Sequence, residues 1–195
     1  MNVGIIAAKA NSKRLTDKNT KLVEGVPLFW YSVQPLLDAK TIDKVYVATD
    51  SLLIKQYCEN KNVSVIWRNI NAVRAEDKLI SVLRYAYYSI EESADAIVTI
   101  MANCPGHTSE SVDKLVKMFY NKNLQEVRSF DSEGEENGLM IYSKEIMESN
   151  RDISYYIGCM VTENVKEPVK KTEKKVKKTT KKPKGLNPKK KAKKK

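Results

Sequence analysis

Lys9, Lys13, Arg14, Lys18 and Lys21 place five cations within thirteen residues, and Ser12 and Asn19 stand among them. They follow directly on an apolar run, Val3–Ala8. Cations at that density suit a ligand of high negative charge, such as a nucleotide triphosphate. A solvated basic loop has the same composition. The position immediately past an apolar run favours phosphate. No glycine lies between Lys9 and Asn19. The loop is therefore not a Walker A loop, which needs two glycines and then Lys and Ser/Thr at fixed offsets. Nor is it a G-x-G-x-x-G dinucleotide turn.

Three more segments carry polar residues just after apolar runs: Thr49–Ser51, Arg68–Asp77 and Asn103–His107. Arg68 and Arg74 are further candidate cations for a nucleotide. Asn103 and Asp77 are candidate polar contacts. Asp50 reads as structural rather than catalytic, because a Thr-Asp-Ser at a strand end can cap the next helix. His107 is the only histidine, so it has no second imidazole to share a metal. It reads as a loop residue or helix cap rather than a base. Cys104 lies nearby, but with no orienting acid the two are not read as a nucleophile pair. Tyr85, Tyr87 and Tyr88 read as helix packing plus an exposed face.

The elements that must position these residues alternate. Val3–Ala8, Asp43–Ser51, Val63–Arg68 and Ala96–Ala102 read as buried parallel strands. Helices are expected at Pro27–Ala39, Leu52–Asn60, Asp77–Glu92 and Ser109–Tyr120. Pro27 opens the first, and Pro35 is expected to bend or interrupt it. In the third, Leu79, Val82, Leu83, Ala86 and Ile90 share one face. Ser109 is the expected N-cap of the fourth. Shorter strands follow at Glu126–Phe130, Gly138–Ser143 and Tyr155–Val161, with a short helix at Lys144–Ser149. This alternation predicts an α/β fold of three layers, with a mostly parallel sheet. Ligands bind such sheets outside the carboxyl ends of the strands, where the four polar segments fall.

Charge divides the chain in two. Lys166–Lys195 holds 16 Lys and 2 Glu, a charge of +14, so the other 165 residues carry −3 of the total of +11. The expected organisation is an α/β domain over residues 1–163 and a Lys-rich disordered tail over 164–195. The tail has three prolines and no aromatic residue. Burying so little apolar surface does not offset the entropy of ordering it. Its partners by charge are nucleic acid or another polyanion. Cys58, Cys104 and Cys159 show neither metal spacing nor a disulfide framework, which suits a reducing, intracellular compartment. "NPKKKAKKK" adds a nuclear reading to the cytoplasmic one for a eukaryotic host. The first eight residues lack the charged start of a signal peptide, and no apolar run reaches the roughly 18 residues of a membrane span.

"IIAAKANSKRLTDKNTKLVEGVPLFWYSV" resembles the opening of the acylneuraminate cytidylyltransferase (CMP-sialic acid synthetase) family and its CMP-Kdo synthetase relatives. The matching residues are Ser12, Lys13, Arg14, Lys18, Asn19, Lys21, Gly25, Pro27, Leu28 and Tyr31. "VYVATDS", Asp77, "VTIMANCPGHTSESVDKLV" and "ENGLMIYSKEIMES" resemble later motifs of that family in the right order, over about residues 3–161. The resemblance implies a nucleotide-diphospho-sugar transferase-like, Rossmann-like fold. It implies attack by a sugar-acid hydroxyl on the α-phosphate of CTP, with Mg²⁺ between phosphates. It also implies roles. Lys9 and Lys13 become the catalytic cations, and Ser12, Arg14 and Lys18 hold the nucleotide. Asn19 lies near the base. Arg68 or Arg74 approaches the nucleotide, Asn103 borders it, and Asp77 is the metal ligand. A homodimer is a further family expectation.

Departures from the pattern concentrate in the first loop. Lys9 replaces an Arg, so a fork able to grip two oxygens becomes a point charge. Ala10 and Asn11 replace two glycines, and Ala7 and Thr16 replace two prolines. Met101 and Cys104 replace Gln and Ser. The stretch between Phe130 and Asn137 is short, and the family's late acidic motif is missing. Three readings stay open at this point: a CMP-transferring enzyme, a nucleotide- or sugar-nucleotide-binding descendant without catalysis, and a tail-driven nucleic-acid-binding protein.

Overall fold

The computed structural model describes residues 1–10, 15, 17–68, 78–149 and 159–162. Strand β1 (Asn2–Ala8) begins the sheet. A 3-10 turn (Lys18–Thr20) and a hairpin of β2 (Leu22–Val23) and β3 (Val26–Pro27) lead to helix α1 (Trp30–Asp38). Then come β4 (Lys44–Thr49), α2 (Leu52–Asn60), β5 (Ser64–Trp67), α3 (Leu79–Ser89) and β6 (Ala96–Ile100). The chain continues with α4 (Ser109–Asn121), β7 (Glu126–Phe130), β8 (Glu136–Ser143), α5 (Lys144–Glu148) and β9 (Cys159–Thr162).

The main sheet has seven strands in the order β5-β4-β1-β6-β8-β7-β9. Strands β5, β4, β1 and β6 pair in parallel. Only β8 runs against the rest, antiparallel to both β6 and β7. Each parallel strand returns through a helix, and the helices divide between two faces. On one, α1, α2 and α4 give Leu36, Ile54, Val112, Leu115 and Phe119 to a cluster with Phe29, Ile6, Val47, Val98 and Ile141. On the other, α3 and α5 give Ile80, Leu83, Ala86 and Ile146 to a cluster with Ile5, Ala48, Ile97 and Tyr142. Ile5 and Ile6 are adjacent yet serve opposite clusters. A strand covered on both sides is apolar at every position, which is why β1 reads as a continuous run.

The three-layer, mostly parallel α/β architecture is the one expected. Several boundaries differ. The first helix starts at Trp30, not Pro27, because Glu24 (φ 51) and Gly25 (φ 85) form the two positive-φ positions of a tight hairpin turn. Pro27 thus pairs with Leu22 in that hairpin. Pro35 lies inside α1 without ending it. The N-cap of α4 is Thr108, not Ser109; its hydroxyl accepts from the Ser111 N–H in a capping box that Ser111 reciprocates. The expected tail, residues 164–195, and the expected strand residues Tyr155–Gly158 lie outside the described residues.

Candidate functional site

The parallel register aligns the carboxyl ends of neighbouring strands. Ala8 lies beside Thr49, and Thr49 beside Trp67. Lys9, Asp50 and Arg68 therefore follow one another along a single rim. Beyond Lys9 the chain returns through the 3-10 turn, which Asp17 enters at φ 54 with Thr20 Oγ1 donating to its carbonyl at 3.0 Å. Asn19 is buried there, its carbonyl accepting from Phe29 N–H at 3.0 Å. Asn19 Nδ2 donates to the Lys9 carbonyl at 2.9 Å. Side-chain amides at such a position close a loop as a short backbone ladder would.

At the end of β4, Thr49 Oγ1 accepts from Ser51 N–H at 3.0 Å, and Ser51 caps α2 by accepting from Ile54 N–H at 3.4 Å. The Thr-Asp-Ser does cap the helix, but through Ser51. Asp50 turns the other way: its Oδ1 accepts the Ala10 N–H at 2.6 Å. Next along the rim, Arg68 N–H donates to the Thr49 carbonyl at 2.8 Å. Arg68 is 3% exposed, and its Nε has no hydrogen-bond partner among the described residues. An unsatisfied buried guanidinium N–H is costly, and an anion is one group that would satisfy it.

Across β1 the rim continues at β6 and at the start of β8, whose reversed direction brings its amino end here. Cys104 N–H turns back onto the Met101 carbonyl at 2.9 Å, and Met101 N–H donates to the Gly138 carbonyl at 2.9 Å. A Cβ on Gly138 would stand 2.8 Å from Cys104 Sγ, and its φ of +90 is one that glycine adopts without strain. Asn103 is exposed. Burial pushes the Cys104 thiol up, with Lys18 pulling it down and Glu136 pushing it up again. Raised above its ordinary range, the thiol is no nucleophile at neutral pH. His107 Nε2–H donates to the Asn137 carbonyl at 2.8 Å. That bond ties the β6–α4 loop to β8 and makes His107 a loop latch. The Asn137 side chain accepts from the Ser129 hydroxyl and keeps a buried Nδ2 without a partner among the described residues.

Of the residues singled out in the sequence, Lys9, Lys18, Asn19, Arg68 and Asn103 stand on this rim. Ser12, Lys13, Arg14, Arg74 and Asp77 lie outside the described residues. Among the described residues, no group of three or more His, Cys, Asp or Glu side chains comes together to hold a metal ion. Sequence reasoning misses the rim positions at β8. The Asn137-Gly138 dipeptide is the available signal, and its local pattern reads only as the start of a strand.

Cations at strand ends suit a nucleotide. Over 137 residues the chain is 24% identical to an N-acylneuraminate cytidylyltransferase of Streptococcus agalactiae serotype III, covering 69% of this chain and 33% of the relative. Over 155 residues it is 26% identical to a 3-deoxy-manno-octulosonate cytidylyltransferase of Lawsonia intracellularis, covering 78% of this chain and 59% of the relative. The chain therefore spans about one third to three fifths of these relatives' length. Its fold is similar to that of a CMP:2-keto-3-deoxy-manno-octonic acid synthetase solved in complex with CTP, at a TM-score of 0.65 and 15% identity, over 75% of this chain and 76% of that one. The model of a family described as cytidylyltransferase matches residues 3–188, nearly the whole chain, and this chain belongs to that family.

Proposed function

We propose that this chain transfers CMP from CTP to a sugar acid. The sugar-acid hydroxyl oxygen attacks the α-phosphorus and forms a new P–O bond. The bond to the β-phosphate oxygen breaks, pyrophosphate leaves, and the hydroxyl proton passes to solvent. The observation that carries this reading is the rim itself. Half-buried Lys9 and Lys18 stand at one strand end, and the buried Arg68, whose Nε has no hydrogen-bond partner among the described residues, stands two strands away. In a transfer of this kind the protein positions the phosphates and neutralises charge that builds up on them. Lys9, Ser12, Lys13, Arg14 and Lys18 are assigned to the phosphates, and Arg68 and Arg74 to the nucleotide. Asn103 is assigned to the border of the nucleotide. Mg²⁺, when bound, supplies further charge neutralisation between phosphates. Asp77 is its proposed ligand, and the described residues do not complete a site for it.

The test is pyrophosphate release from CTP and Mg²⁺ with a panel of sugar acids that includes sialic acid and Kdo. The expected result is release with one of them, reduced at least tenfold by Lys13→Ala, the scale for removing one charge-stabilising group. Activity untouched by that change removes Lys13 from the site. The altered loop, with Ala10 and Asn11 where the pattern of the resembled family has glycines, favours one second reading: CTP binding without turnover.

A further inference from the structure

A loop that grips a triphosphate usually does so with backbone N–H groups, and glycines let the backbone approach. Here the peptide unit joining Lys9 to Ala10 is occupied at both polar atoms by side chains. Its carbonyl accepts from Asn19 Nδ2 at 2.9 Å. Its N–H donates to Asp50 Oδ1 at 2.6 Å. The two side chains reach it from positions 10 and 40 residues away in sequence. A peptide unit is planar, so holding both of its polar atoms fixes ψ of Lys9 and φ of Ala10 together. Those are the angles that set where the chain goes on leaving Lys9. Both supports are themselves anchored. The Asn19 carbonyl holds Phe29 N–H at 3.0 Å, and Asp50 lies between the capping residues Thr49 and Ser51.

We propose that Asp50 and Asn19 are positioning residues that lock the Lys9–Ala10 peptide plane, so that the triphosphate is held by side-chain cations rather than by this peptide N–H. The inference rests on the nucleotide reading of the rim. It replaces the base-contacting role expected for Asn19 with one inside the loop. It also gives Asp50 a role that is neither metal ligand nor helix cap. A carboxylate beside a triphosphate site would ordinarily repel it. Held on a backbone N–H, it acts instead as the loop's anchor.

The experiment is titration calorimetry of the full chain with CTP and Mg²⁺, with melting temperature measured in parallel. Asp50→Ala is expected to weaken CTP binding about tenfold, the scale of removing one charge-assisted hydrogen bond, and Asn19→Ala about fivefold, the scale of a neutral one. Asp50→Asn keeps an acceptor oxygen and is expected to bind within about threefold of wild type, a smaller effect because a neutral acceptor is weaker. The double Ala variant should weaken binding by less than the product of the two single effects, because both side chains act on one plane. Asp50 is half-buried where Asn19 is buried, so Asp50→Ala is the milder change and tests the inference if the Asn19 variant fails to fold. Wild-type affinity in Asp50→Ala, no rescue by Asp50→Asn, or fully multiplicative effects would each overturn the inference while leaving the nucleotide reading standing. A wild-type chain that does not bind CTP overturns both.

Discussion

At the scale of single residues, the rim places function and stability in opposition. Arg68 is a cation taken out of water without a hydrogen-bond partner for its Nε among the described residues. Burying such a group costs stability unless something pairs with it. Replacing it by an apolar side chain of similar length should therefore strengthen the fold and weaken the site. Arg68→Met is expected to raise the melting midpoint by an amount worth about 1–3 kcal/mol and to weaken CTP binding at least tenfold. Differential scanning calorimetry and CTP titration check the two halves. A variant that loses stability and keeps its affinity for CTP would mark Arg68 as an internal tie. In the sequence, Arg68 is legible as a cation after a strand. Its burial is not, because burial depends on which neighbouring segments cover it.

Among the elements, helix ends carry most of the difference between expectation and structure. The long apolar faces of α3 and α4 are readable because their 3.6-residue spacing survives any packing. The cap of α4 is less secure, since Thr108 and Ser109 are both good N-caps. The structure chooses Thr108, through its reciprocal bonds with Ser111. Thr108→Ala is expected to cost about 1 kcal/mol of stability, with Ser109→Ala close to neutral. Urea unfolding of the two variants separates them, and equal effects would remove the capping box. The hairpin at Glu24-Gly25 escapes a sequence reading for a different reason. Its strands are two residues each, too short to show alternation. Only Gly25 signals it.

For the whole molecule, the charge division is the controlling fact. A body of −3 has no general attraction for polyanions, and a segment of +14 does. Any nucleic-acid affinity of this chain should therefore reside in Lys166–Lys195. A full-length variant with the lysines of residues 170–195 changed to Gln is expected to bind a DNA duplex far more weakly. Its dependence of log affinity on log salt should flatten by about 0.9 for each phosphate that the tail no longer neutralises. An unchanged slope would place the DNA-binding cations on the folded body instead. CTP turnover should change far less than DNA binding, because the assigned nucleotide cations lie between Lys9 and Arg74.

The sequence by itself determined the layer architecture, the strand-end location of the polar residues and the division of charge. Those properties follow from local periodicity and composition, which each segment carries with it. It also put Lys9 just past the first strand, at the start of the basic loop. Tertiary structure alone decided what holds that loop. Asn19 and Asp50 meet one peptide unit from two directions, and Arg68 ends up buried two strands away. Hydrogen bonds between distant segments depend on register and on the direction in which a side chain leaves its strand end. Sheet pairing sets both, at sequence separations that no local pattern spans. For the same reason the reversed strand β8, which brings Asn137 and Gly138 to the rim, could be seen as a strand but not as part of the site.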